Sequence, residues 1–61
     1  MTAFDELADQ LDTIAEQLAD LALDRLRTAL EDDGAEAAAA EERRITKARR
    51  RIAEAAVLLR G

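Results

Sequence analysis

Leu30-Glu31-Asp32-Asp33-Gly34-Ala35-Glu36 is the one place where a helical apolar pattern, present on both sides, stops and restarts. Gly34 suits a left-handed helix stop. Asp33 suits the N-cap of a following helix, with Glu36 at its third position. A turn over about residues 32–34 folds the chain into an antiparallel αα-hairpin. The competing reading is one continuous helix through Gly34, since a glycine inside a helix costs only about 1 kcal/mol. The flanking segments decide between the two.

Upstream, Thr2 and Asp5 form a short-acid version of a capping box, which predicts a first helix over about residues 3–31. Asp5 and Glu6 also suit the positive end of the helix dipole. Phe4, Leu7, Leu11, Ile14, Leu18 and Leu21 recur at alternating intervals of three and four, the a and d positions of a heptad seam. The same frame places Arg25 at a and Thr28 at d. Downstream, a second helix is predicted over about residues 35–60, with Gly61 after it. Its seam reads Ala38, Glu41, Ile45, Ala48, Ile52, Ala55 and Leu59.

Laid antiparallel, the two seams match when the numbers of facing residues add to 66. Leu7 then faces Leu59, Leu11 faces Ala55, Ile14 faces Ile52, Leu18 faces Ala48 and Leu21 faces Ile45. Arg25 falls opposite Glu41, the only charged residues on either seam. One register thus satisfies both the apolar layers and the charge match, which favours the hairpin. Arg25 and Glu41 are expected to act as a register pair, in the manner of a polar residue at a single seam position.

With 61 residues the chain supports a single domain, and a domain of this size buries only about 60% of its unfolded surface. Cysteine and histidine are absent, which removes disulfides, the usual zinc ligands and imidazole acid–base chemistry. Phe4 is the only aromatic residue, so base stacking has no platform. Proline is absent, and 49% hydrophobic with 38% charged residues suits long helices. No apolar run reaches the ~20 residues of a membrane span, and the first residues lack a signal-peptide pattern. A cytoplasmic, soluble protein is expected. The excess of Arg over Lys and the abundant Ala are common in GC-rich bacterial genomes.

One seam is too thin to hold a lone hairpin. The first helix carries additional alanines at e, namely Ala8, Ala15, Ala22 and Ala29, with Ala19 and Leu26 at b. Apolar residues at a, d and e mark a helix that faces a bundle core. Ala8, Ala15, Ala19, Ala22, Leu26 and Ala29 are therefore expected to form a dimer interface, two hairpins making a four-helix bundle. A helical protein partner is the other way to cover this strip. Leu23, Leu30, Val57 and Leu58 point away from the seam, and together with the alanine strip they favour the two-fold bundle.

The net charge of −5 is divided unevenly. Residues 1–33 carry ten acids and two arginines, net −8, and residues 34–61 carry seven bases and four acids, net +3. Asp24 lies within reach of Arg44 in the same register. A small non-catalytic interaction or scaffold module is the function that fits these features. The alternative is a nucleic-acid-associated protein that contacts phosphates through Arg43, Arg44, Lys47, Arg50 and Arg51. An enzyme is not expected. The carboxylate-bridged di-iron pattern needs histidine, and no cysteine nucleophile or phosphate-cradling glycine loop is present. No cofactor, metal, membrane or small-molecule substrate is expected.

Overall fold

The computed structural model describes residues 2–31 and 34–61, and these form two antiparallel helices. Helix α1 spans Ala3–Glu31 and α2 spans Ala35–Arg60. The expected antiparallel hairpin is the observed fold.

Local chemistry sets the ends. The Thr2 amide donates to Asp5 Oδ2 at 3.3 Å, and the Asp5 amide donates to Thr2 Oγ1 at 3.1 Å. Two orphan donors of the first turn are thereby satisfied reciprocally. At the far end of α2, Gly61 adopts φ +96°, and its amide donates to the Leu58 carbonyl at 3.3 Å. Only glycine takes that left-handed conformation without strain.

The connection differs from expectation. Gly34 has φ −84° and ψ 23°, so it is not a left-handed stop. Its carbonyl accepts the Ala38 amide at 3.0 Å and opens α2, with no side-chain cap among the described residues. Asp33, the expected cap, lies outside the described residues, as does Asp32.

The seam is rotated from its expected line. The buried side chains among the described residues are Ala8, Ala22, Ala38 and Ala56, and no large side chain is fully buried. Ala8 and Ala22, two residues expected at the dimer interface, are buried within the hairpin itself. Leu7, Ile14 and Leu21, expected in the seam, remain 50%, 42% and 44% exposed, and Ala48 is exposed. The reason is steric. An alanine line lets two backbones approach closely, which leaves the leucine line to flank the contact. An apolar stripe covering a, d and e is wider than one partner helix can bury, and sequence alone did not say which edge would close.

The result is a thin rod with Cα extents of 47 × 14 × 9 Å. Its radius of gyration is 14.2 Å, against roughly 10.5 Å for a compact domain of this length.

Candidate interaction surface

Two helices side by side offer two broad faces and two edges. Which residues occupy each follows from the turn of about 100° per residue and from the observed ion pairs.

One broad face carries Leu7, Ile14 and Leu21 along α1, one residue every seven. A spacing of seven drifts by only ~20° per step, so these side chains stay in line. Half-buried Ile52, Ala55 and Leu59 flank them from α2. Toward the hairpin turn the same face ends in Arg25 and Glu41. Arg25 Nη1 lies 3.5 Å from Glu41 Oε2, across the interhelical contact, so the two residues of the expected register pair are neighbours. Arg25 Nη2 also donates to Asp24 Oδ2 at 2.7 Å. Asp24 is engaged there, and among the described residues it does not reach Arg44. Hydrogen bonding and charge from Asp24, with a smaller contribution from Glu41, hold the Arg25 guanidinium above its ordinary pKa. Arg25 Nε is buried and has no hydrogen-bond partner.

The opposite broad face is built differently. Ala15, Glu16 and Ala19 of α1 and Thr46, Arg49, Arg50 and Ala53 of α2 border a shallow groove. Near the open end of the hairpin Arg60 reaches across this face. Its Nη2 lies 2.7 Å from Asp9 Oδ1 and 2.6 Å from Asp12 Oδ2. Asp12 first, then Asp9, raise the Arg60 pKa. Sequence inspection missed this clamp because the three residues sit outside the seam frame. The available signal was a terminal arginine level with a carboxylate pair three residues apart.

The remaining residues expected at a dimer interface are distributed as follows. Ala15, Ala19 and Ala29 are half-buried along α1, and Leu26 is 43% exposed. The strip is therefore split between the internal seam and the grooved face. Leu23, Leu30, Val57 and Leu58 are exposed, with Val57 and Leu58 in an apolar patch beside Ala53.

The outer edge of α2 holds Arg43, Arg44, Lys47, Arg50 and Arg51, all exposed. Among the described residues none of the five is in an ion pair. Glu42, beside them, accepts the Thr46 hydroxyl at 2.6 Å. Among the described residues no helix is long and apolar enough to cross a membrane. Comparison with protein-family models, with curated proteins and with solved structures found no match.

Proposed function

We propose that this chain is a small non-catalytic helical interaction module, a scaffold or adapter that works as a dimer of hairpins. The observation that carries this reading is unfinished burial. The chain exposes 4690 Å², whereas a compact monomer of its mass exposes roughly 3,900 Å². The excess is on the order of 800 Å², about what one partner contributes to a standard specific interface. The broad face carrying Leu7, Ile14 and Leu21 is where exposed apolar side chains recur most regularly, one every seven residues. An apolar face of that length marks an association surface. Covering it with a second hairpin gives the closed two-fold bundle.

Solution mass by light scattering, with helicity followed by circular dichroism through a dilution series, tests this. The expected result is a mass near twice 6.7 kDa, with melting that weakens on dilution. A helical monomer indifferent to dilution would overturn it.

A second reading rests on the basic edge. Five exposed cations that have no carboxylate partner among the described residues suit a phosphate backbone, and binding would fall steeply with salt, by about 0.9 log units per log unit of salt for each phosphate engaged. The net charge of −5 works against it. Filter binding of DNA and RNA at two salt concentrations separates the readings, because a scaffold retains neither.

A further inference from the structure

A two-fold dimer through the Leu7–Ile14–Leu21 face can be assembled in two ways. With the axis across the rod, α1 lies on α1 of the second copy and the turns lie at opposite ends. With the axis along the rod, α1 lies on α2 of the second copy and the turns lie at the same end. We propose the second arrangement, in which Arg25 of each copy packs against Glu41 of the other, so that four charges alternate around the two-fold axis. This rests on the reading of the chain as a self-associating module.

Three observations support it. The first is charge. The half of the chain that contains α1 carries net −8 and the half that contains α2 carries net +3. Stacking α1 on α1 sets like charges together, whereas stacking α1 on α2 sets opposites together. Complementary charge selects the register and orientation of an association more than it adds affinity.

The second is the position of the charged pair that bridges the two helices on this face. Arg25 and Glu41 sit toward the turn, whereas Leu7 sits toward the open end. With the turns apart, the pair is pressed against the apolar open end of the second copy. A charged pair desolvated against leucine is costly without further partners. With the turns together, the pair meets its own counterpart, and Ile14 and Leu21 meet the apolar positions of α2 at matching heights.

The third is an unfinished bond. The Glu41 carboxylate stands 3.5 Å from Arg25 Nη1, a loose contact, and the two side chains keep 45% and 32% of their surface exposed. The carboxylate of Glu41 from the second copy, laid over the exposed part of the guanidinium, supplies a further acceptor there.

Two measurements on the full chain test this. A Cβ at Gly34 meets nothing within 4 Å, and φ there is −84°, so Gly34→Cys accepts a spin label without strain. With the turns together the two labels lie about 20 Å apart, one to two helix diameters. With the turns apart the separation approaches the 47 Å length of the rod. Dimer mass with the long distance would overturn the arrangement and leave self-association standing. A monomer of the unsubstituted chain would overturn both.

The charges are tested by Arg25→Glu and Glu41→Arg. Each variant alone should associate at least about tenfold more weakly, because four like charges gather at the axis. Mixed in equal amounts, the two should recover dimer mass as a heterodimer, since each charge then faces its opposite in the other copy. The chain carrying both substitutions should associate as the original does, which controls for folding. Single variants that dimerise unchanged, or a mixture that shows no recovery, would overturn the proposal.

Discussion

Arg60 and Asp9, 51 positions apart in the chain, hold the open end of the hairpin through a 2.7 Å contact from Nη2 to Oδ1. Asp12 binds the same nitrogen at 2.6 Å. The opposite broad face is tied near the turn by Arg25 and Glu41. The two helices are therefore pinned by charge at both ends, once on each face.

Arg60→Ala should loosen the open end without unfolding the molecule. Amide exchange in the first turn of α1 and the last turn of α2 should become a few-fold faster, since exposed ion pairs contribute modestly. The difference should shrink in 1 M salt, where charge is screened over about 3 Å. The pH dependence has a definite sign. A raised arginine pKa gives stabilisation that is complete below the ordinary arginine value and is lost only in strong alkali. Between about pH 6 and 9 the effect of the substitution should therefore be flat.

Thr2→Ala removes one half of the reciprocal cap at the start of α1. A loss of about 1 kcal/mol is expected, from urea denaturation. An unchanged midpoint would mean that the first turn frays in solution despite the cap.

Ala8→Leu tests the close approach of the helices. Ala8 is 0% exposed, so a larger side chain forces the helices apart and should cost about 1–3 kcal/mol. Ala40→Leu, on the exposed edge of α2, should stay within about 0.5 kcal/mol of the original chain.

Gly34→Ala should stabilise the hairpin by about 0.4–1 kcal/mol. The backbone there is one that any residue adopts, and the added methyl has open space. Restricting the unfolded chain is the source of the gain. A loss measured by thermal melting would show that the turn passes through other conformations.

Ile14→Ser and Leu21→Ser should each weaken self-association by roughly tenfold, equivalent to about 1.4 kcal/mol. Monomer helicity should change little, because both side chains are nearly half exposed within one hairpin. Sedimentation at several concentrations would read the first effect, and circular dichroism the second.

Much of the fold was legible in the residues. Thr2 with Asp5 announced the start of α1, Gly61 the end of α2, and the stretch around Gly34 the turn. The neighbouring positions of Arg25 and Glu41 followed from laying the two seams antiparallel. The rotation of the helices did not. Leu7, Ile14 and Leu21 lie beside Ala8, Ala15 and Ala22 on one wide apolar stripe, and hydrophobicity ranks the leucine line above the alanine line. Backbone approach reverses that ranking, because a small side chain gains by what it lets its neighbours do. Burial of Ala8 and Ala22 therefore moved the candidate association surface from the alanine line to the leucine line. The conformation of Gly34 was not legible either, since a glycine after a helix is compatible with either sign of φ. The Arg60 clamp depends on the reach of a long terminal side chain, which no periodic pattern encodes.

A hairpin whose buried side chains, among the described residues, are four alanines has a calorimetric consequence. Exposure of apolar surface is what raises the heat capacity on unfolding, by about 0.45 cal/mol/K per Å², whereas polar exposure lowers it. A lone hairpin that hides so little apolar area should unfold with an increment below the usual ~12–15 cal/mol/K per residue. Its free energy of unfolding would then follow a flatter curve with temperature, and cooling would weaken it less. Covering the leucine line restores the missing increment and bends the same curve into an arch, so the curvature alone reports whether that line is wet or dry.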